Sequence, residues 1–354
     1  MRNIRSLASF SHKARSIVST HPYLTATAAL MSALAVSALA SRHLAKKALR
    51  DNPPLGQFLT VDGVRLHYLD QGAGEPLVLL HGNGSMIQDF CSSGLVDLAA
   101  RNYRVIVFDR PGFGHSDRPN NMFWTPTAQG ELISKALDRL DISNALVLGH
   151  SWGASVAVAL ALRHPSLVRG LVLASGYYYP TVRADVPVLS TPALPLVGDV
   201  ICHTVSPIAA RLVWPLLMRK VFGPAAVPSK FDGFPKEMAV RPSQLKSSAA
   251  ESALMIPNAL QFEDRYSELQ MPVSIVAGEN DRVIDFYEQS RRLHNDVPRS
   301  KFHPIPGSGH MVHQTATRSV MSAIDEVSDA ARRAAAERER HVRAGRGNDE
   351  QSLV

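Results

Sequence analysis

Residues 145–154 constrain the fold more than any other part of this sequence, because they place one serine between two glycines after an apolar run. The letters ALVLGHSWGA predict a short buried strand, a tight turn at Ser151, and a helix that continues to about Arg163. Side chains at Gly149 and Gly153 would collide with the neighbouring backbone in such a turn. The serine hydroxyl would then stand clear of the sheet, at a helix N-terminus whose N–H groups favour negative charge.

This pattern is a Gly-x-Ser-x-Gly nucleophile elbow, and its serine needs a base and an acid that orients the base. His310 is the predicted base, because it follows the final strand in a Gly-Ser-Gly-His turn. Asp281 is the predicted acid, since it follows the preceding strand. Glu279 and Asp285 are competing acids. The nearby His313 is expected to support the site or to have a structural role.

The oxyanion that forms during acyl transfer needs two N–H donors. We expect one from Trp152, the residue after the nucleophile, and one from Asn83 in the loop 81–84. Glycines in that loop let the backbone approach a substrate closely. Asp109 also follows a strand, but a structural role is expected for it because the acid position is already better filled.

Strands and helices alternate on both sides of the elbow, which predicts a mostly parallel, twisted β-sheet flanked by helices. A hairpin is expected at Asp62-Gly63. From 176 to 266 short helical pieces lie between recurrent prolines, and they predict a helical cap, inserted between strands 6 and 7, above an apolar pocket. The predicted strands are 57–61, 64–69, 77–80, 104–108, 145–148, 170–174, 273–277 and 301–305, and the predicted helices outside the cap are 127–140, the elbow helix and 318–336.

The first 50 residues contain eight basic residues and no acidic ones. The net charge of +7 therefore belongs to this segment, and the nearly neutral remainder predicts no nucleic-acid partner. Residues 16–41 carry no formal charge, and as a helix they would extend about 39 Å, more than the ~30 Å hydrocarbon core of a bilayer. A single membrane anchor is the first interpretation. The alternatives are a secretory signal cleaved near Ala38-Leu39-Ala40, giving a secreted or periplasmic protein, and an organellar transit peptide.

These patterns divide the chain into five parts. They are a basic, hydrophobic segment at 1–50, a first core part at 51–175, the cap at 176–266, a second core part at 267–336, and a charged tail at 337–354 that is expected to be disordered. Two cysteines do not make a disulfide scaffold, and no cysteine or histidine spacing predicts a metal site. No cofactor is expected, and the oligomeric state is left open.

Five motifs together resemble those of the α/β-hydrolase superfamily, over about residues 57–330. They are His-Gly-Asn-Gly, Asp-Arg-Pro-Gly-Phe-Gly-His-Ser, Gly-His-Ser-Trp-Gly, Gly-Glu-Asn-Asp and Gly-Ser-Gly-His. The resemblance implies the capped, serine-nucleophile branch, of a membrane-anchored bacterial type. Epoxide hydrolases and haloalkane dehalogenases carry aspartate at the nucleophile position, where this chain has Ser151, although Trp152 is similar to the dehalogenase pattern.

The resemblance and the residues together predict a cofactor-free serine hydrolase. Its expected substrate is a small apolar carboxylic ester, cleaved through an acyl-enzyme. A carbon–carbon bond hydrolase, a perhydrolase or a lyase with the same triad is the first alternative. A non-catalytic ligand-binding protein on the same fold is the alternative of another class.

Overall fold

The structure is a computed structural model that describes residues 22–351, with side chains described from Tyr23 to Arg340. It opens with a 30-residue helix, α1 (Pro22–Asp51), which runs without a break through most of the predicted anchor. Residues 16–21 of that prediction lie outside the described residues.

An eight-stranded sheet forms the centre of the molecule, with the strand order β1-β2-β4-β3-β5-β6-β7-β8. The hairpin β1–β2 turns at Asp62-Gly63 as predicted. The pairs β1–β2 and β2–β4 are antiparallel, and all pairs from β4 to β8 are parallel. The strands are β1 (Gln57–Val61), β2 (Val64–Gln71), β3 (Glu75–Leu80), β4 (Tyr103–Phe108), β5 (Ala145–His150), β6 (Val168–Ala174), β7 (Val273–Gly278) and β8 (Lys301–Ile305). Parallel strands place their carboxyl ends at one edge, where functional loops collect.

Helices cover both faces of the sheet, and five of them lie in the connection between β6 and β7. The helices of the core are α2 (Ile87–Ser93), α3 (Leu95–Ala99), α4 (Pro126–Arg139), α5 (Trp152–Arg163), α11 (Arg292–Asp296), α12 (Val312–Thr315) and α13 (Thr317–Gln351). Those of the β6–β7 connection are α6 (Val186–Ser190), α7 (Val197–Thr204), α8 (Ser206–Phe222), α9 (Lys236–Ala239) and α10 (Pro242–Phe262). Short 3₁₀ turns occupy Thr191–Ala193, Ser229–Gly233 and Tyr266–Glu268, and a π-helical turn occupies Phe286–Arg291.

The core consists of two apolar layers, because successive residues of a strand point to opposite faces. In β5, Val147 packs with α4 and α5, whereas Leu146 and Leu148 pack with α2, α3 and α13. All three side chains are almost completely buried. Full burial of a leucine contributes about 1.5–3 kcal/mol, so the nucleophile strand is held firmly from both sides.

Two regions differ from the sequence predictions. The last helix was expected to end at 336 before a disordered tail, but α13 continues to Gln351, through a stretch in which glutamate and arginine favour helix. The N-terminal segment is also joined to the cap. Ser37 Oγ donates to the Thr204 carbonyl at 2.6 Å, and Ala48 is buried in an apolar cluster with Phe222.

Candidate active site

Ser151 lies at the carboxyl end of β5 with φ +53°, in a region that non-glycine residues rarely adopt. A Cβ at Gly149 would lie 2.3 Å from the Gly153 carbonyl oxygen, and one at Gly153 would lie 2.1 Å from that of Leu80. These contacts confirm why both flanking positions must be glycine. A strained turn of this kind costs about 1–3 kcal/mol and persists because the sheet and α5 hold it on both sides.

His310 and Asp281 form a buried pair at the same edge of the sheet. The distance from His310 Nδ1 to Asp281 Oδ2 is 2.7 Å, and the two side chains are only 7% and 3% exposed. Asp281 Oδ1 accepts the N–H groups of Val283 at 2.7 Å and Ile284 at 3.0 Å, which fixes the carboxylate. An ionised carboxylate only accepts, so Nδ1 of His310 carries the proton and Nε2 keeps its lone pair.

The two competing acids do not make this contact. Glu279 is exposed to solvent. The carboxylate of Asp285 accepts the N–H groups of Tyr287 and Glu288, both at 2.9 Å, and so caps the following helical turn. Of the three acids, Asp281 is the one that the fold brings to His310.

The residue before the nucleophile connects Ser151 to His310. His150 Nε2 donates to the His310 carbonyl at 3.0 Å, and the two imidazole rings are 5.0 Å apart between centroids. The His310 N–H donates in turn to the Val221 carbonyl of α8 at 2.9 Å. The base is therefore held between the nucleophile strand and the cap.

The loop 81–84 passes directly beside the nucleophile, since a Cβ at Gly82 would lie 3.0 Å from Ser151 Cβ. Asn83 is held by its side-chain amide, which donates to the Ser248 carbonyl at 3.0 Å and to Ser252 Oγ at 3.2 Å on α10. Trp152 is the first residue of α5, where a backbone N–H has no acceptor within the helix. Trp152 thus directly follows Ser151 at a helix N-terminus, and Asn83 follows the glycine that lies beside Ser151.

An ion pair behind this loop was missed by the sequence analysis. Arg110 pairs with Glu251 of α10, where Nη2 lies 3.1 Å from Oε2, and neither side chain is exposed. The same guanidinium donates to the carbonyls of His81 at 2.7 Å and Gly82 at 2.9 Å. It therefore fixes the loop beside the nucleophile to the cap. The one available signal was a charged Glu251 in a run of serines and alanines.

Burial, and then the charge of Arg110, lower the pKa of His81 to about 3, so this imidazole is neutral. Its Nε2 accepts the Arg110 N–H at 3.0 Å, and its Nδ1 donates to the Gly82 carbonyl at 2.8 Å. Asp109 has the expected structural role, because its carboxylate accepts from His67 Nδ1 at 2.6 Å and from the Ile87 N–H at 2.9 Å.

A second buried group lies beneath His310. His313 Nε2 donates to Asp89 Oδ1 at 2.9 Å, and the His313 ring lies 4.3 Å from that of His150 between centroids. The potential ligand atoms of the three residues lie within 4.8 Å of one another, a grouping that spacing along the chain did not predict. Asp89 also accepts from Ser85 Oγ at 2.8 Å and Gln314 Nε2 at 3.0 Å, so its oxygens already have donors.

The electrostatics of this group favour a neutral His150 and an ionised Asp89. Burial, and then the neighbouring His313 and His310, hold the pKa of His150 well below its ordinary value, so its ring is neutral. Burial raises the pKa of Asp89, but the contacts with His313, His150 and Gln314 together outweigh burial and hold that pKa below its ordinary value. His150 is thus a neutral donor that supports the His310 backbone.

Comparisons with known proteins extend over most of the chain. A family model described as alpha/beta hydrolase fold matches residues 75–317. The 2-hydroxymuconate semialdehyde hydrolase of Pseudomonas sp. (strain CF600) is 38% identical over 130 residues, which are 35% of this chain and 44% of that protein's length. The chain thus spans less than half of that relative.

Two further likenesses are longer. The 2-hydroxy-6-oxononadienedioate/2-hydroxy-6-oxononatrienedioate hydrolase of Cupriavidus pinatubonensis is 28% identical over 274 residues, 72% of this chain and 88% of that protein. The structure of a thermophilic esterase from Thermogutta terrifontis superposes with a TM-score of 0.64 at 20% identity, covering 78% of this chain and 99% of the esterase. The second likeness supports the fold alone.

Proposed function

Because this chain belongs to the α/β-hydrolase fold family, we propose that it is a serine hydrolase that uses Ser151, His310 and Asp281. The observation that carries the proposal is the buried 2.7 Å contact between His310 Nδ1 and Asp281 Oδ2. It leaves Nε2 available as a base at the edge where the strained Ser151 stands. This is the arrangement that nucleophilic catalysis by a serine requires.

The reaction follows from these positions. Ser151 Oγ attacks an acyl carbonyl while His310 Nε2 takes its proton and then returns it to the leaving group. Asp281 keeps the imidazole in the required tautomer and stabilises its charged form. The N–H groups of Asn83 and Trp152 donate to the oxyanion. Water activated by His310 then releases the acyl group, so no cofactor is needed.

An apolar carboxylic ester is the proposed substrate. The cap contributes aromatic and methionine side chains, among them Phe222, Phe231 and Met238, to an apolar cluster that also contains Met86 and Met311. These side chains are packed against one another, and Met311 directly follows His310, so the surroundings of the site favour apolar acyl groups. The buried Arg110 is not available to bind a substrate carboxylate, because its guanidinium is already paired with Glu251.

Carbon–carbon bond hydrolysis with the same three residues is the second candidate. The names of two relatives favour it, since they are hydrolases of a 2-hydroxymuconate semialdehyde and of 2-hydroxy-6-oxo dienedioates. A panel of p-nitrophenyl esters and vinylogous diketones separates the two functions. Faster turnover of the diketones would replace the ester assignment.

Labelling by a fluorophosphonate probe tests the nucleophile. Ser151→Ala should abolish labelling and lower turnover by about 10⁴–10⁶. The matched control is Ser155→Ala, which removes another hydroxyl from α5 and should label normally. Labelling that persists in Ser151→Ala would reject the assignment. A folded, unlabelled wild-type protein that still binds a small ligand would favour the non-catalytic alternative.

We also propose that α1 anchors the protein in a membrane. By length and composition α1 fits either a membrane span or a signal sequence. The anchor is favoured because the helix continues through Ala38-Leu39-Ala40, and because Ser37 and Ala48 on either side of this site contact the folded domain. The intact mass of the protein in washed membranes tests this. A mass that lacks the first 40 residues would support the cleaved signal.

A further inference from the structure

A second apolar stretch lies beside α1. Within the described chain, Val186–Ala193 and Val197–Thr204 together are apolar enough for a membrane segment, but they bend by 98° at the break between them. Each arm has eight residues and extends about 12 Å, less than half of the ~30 Å hydrocarbon core. The pair is therefore too short to cross a bilayer and long enough to enter one leaflet. We call residues 186–204 the cap hairpin.

The cap hairpin exposes its apolar side chains instead of burying them. Leu196 at the bend is 82% exposed, and Val188 is 74% exposed. The exposed group in the hairpin is Val188, Leu189, Leu194, Leu196, Val197 and Val200. A water-soluble protein rarely presents so continuous an apolar patch, so the patch indicates a contact with something apolar.

Helix α8 continues this surface. Val205, Ile208, Leu212 and Leu216 recur at helical spacing along one face, and all four side chains are exposed, with Leu212 at 75%. An amphipathic helix in a soluble domain normally turns such a stripe toward the core. Here the stripe is exposed, and it begins at Val205, directly after the cap hairpin ends.

The position of α1 identifies what covers this surface. Helix α1 packs beside α7, and Ser37 Oγ donates to the Thr204 carbonyl at the end of the hairpin. This contact lies four residues before Ser41, where the uncharged stretch ends. The exposed cations Arg42, Lys46, Lys47 and Arg50 follow at once along the helix. The cap hairpin thus lies level with the end of the apolar span, next to cations that suit anionic headgroups.

Most backbone N–H groups at the bend have acceptors, which lowers the cost of entering a medium with little water. Leu194 N donates to the Thr191 carbonyl at 3.1 Å, and Gly198 N donates to the Leu194 carbonyl at 2.9 Å. Pro195 between them has no N–H. The charge on the hairpin, Asp199, is paired with Lys246 of α10.

We propose that the cap hairpin and the exposed stripe of α8 insert into the leaflet in which the apolar span of α1 ends. The acyl chains of that leaflet then cover their exposed side chains. This inference rests on the anchor proposed above. It gives the enzyme two contacts with the bilayer, one that spans it and one that dips into it. Since α8 ends at the residues that hold His310, the second contact brings the catalytic edge close to the lipid surface.

Photocrosslinking from within the bilayer tests the insertion. The full-length protein is reconstituted in vesicles of phosphatidylethanolamine and phosphatidylglycerol that contain a phospholipid with a diazirine on one acyl chain. After irradiation, mass spectrometry maps the lipid adducts. We expect adducts on peptides from 186–217 as well as on α1. Adducts confined to α1 would overturn the proposal, and so would protein–protein crosslinks at 186–217 in place of lipid adducts.

A double variant and its control sharpen the result. Leu196→Glu with Leu212→Glu places carboxylates at two highly exposed positions, and it should lower the adduct yield over 186–217 about tenfold while α1 still crosslinks. Leu260→Glu is the matched control. Leu260 is also exposed, at 56%, but it lies at the C-terminal end of α10, whereas Lys246, which pairs with the cap hairpin, lies near the N-terminal end. An unchanged yield in the double variant would contradict insertion.

The outcome is independent of the catalytic proposal. Ser151→Ala should crosslink like the wild type, so a failure of the triad leaves the adduct map unchanged. Vesicle flotation separates the remaining case. If the full-length protein stays out of the floating fraction, the result contradicts the anchor proposal and therefore also the insertion proposal.

Discussion

The catalytic edge of the sheet and the outer face of the cap differ in which side chains they bury and which they expose. At the edge, charged side chains are removed from water and held in buried pairs, namely His310–Asp281 and Arg110–Glu251. On the outer face of the cap, large apolar side chains such as Leu196 and Leu212 stand in solvent.

This difference separates what the fold holds by itself from what depends on its surroundings. Fixed dipoles and charges in a dry site stabilise developing charge without reorganising, so the edge is suited to catalysis as it stands. The leucines of the outer cap are not stabilised by exposure to water, so we expect this face to contact an apolar medium. Four predictions test this comparison.

The largest expected effect is on the catalytic edge. Asp281→Asn keeps the size of the side chain but favours the wrong imidazole tautomer, so turnover of a soluble ester should fall about 10⁴-fold. Glu279→Gln, two residues away and exposed, should leave turnover unchanged. Steady-state kinetics on both variants checks this. Similar rates for Asp281→Asn and wild type would exclude His310–Asp281 as the working pair.

The ion pair between the loop and the cap should carry the largest effect on stability. Glu251→Gln leaves the buried Arg110 without its counter-charge and should lower the free energy of unfolding by about 3–5 kcal/mol. Glu237→Gln removes an ion pair to Arg211 on the surface of the same cap, and should cost less than about 1 kcal/mol. Denaturant unfolding measures both. Equal losses would mean that burial does not distinguish the two pairs.

The sequence predicted those parts of the site that adjacent residues encode. The elbow was predictable because Gly149 and Gly153 are required by the backbone on either side of Ser151. The sheet and its hairpin followed from local alternation. His310 and Asp281 were predictable from their places after successive strands.

Contacts between distant segments were beyond such reasoning. Arg110 and Glu251 are 141 residues apart, and Asp89 and His313 are 224 apart, so nothing in their local patterns links them. The packing of α1 on the cap was hidden for the same reason. Composition suggested disorder after 336, whereas helix propensity carries α13 to Gln351.

Acid should weaken the dry edge. The pKa of His81 falls from 6.5 in an unfolded chain to about 3, so the unfolded state takes up a proton first. The free energy of unfolding therefore does not depend on the protonation of His81 above about pH 6.5. As the pH falls from there toward 3, it decreases by about 1.4 kcal/mol per pH unit. Urea unfolding of wild type and His81→Gln, at about pH 7 and about pH 5, compares the slopes. The variant should lose less stability on acidification, and parallel losses would contradict a neutral, buried His81.

The smallest effect is expected on the outer cap. In detergent, Leu212→Ser should change the free energy of unfolding by no more than about 0.5 kcal/mol, because the side chain is 75% exposed and makes few contacts within the fold. Leu148→Ala, in the buried nucleophile strand, should cost about 2–5 kcal/mol under the same conditions. Chemical unfolding of both variants gives the contrast directly. A loss for Leu212→Ser that approaches the loss for Leu148→Ala would show that this face is packed against protein, and the contact it serves would then be a second copy of the chain and not a lipid leaflet.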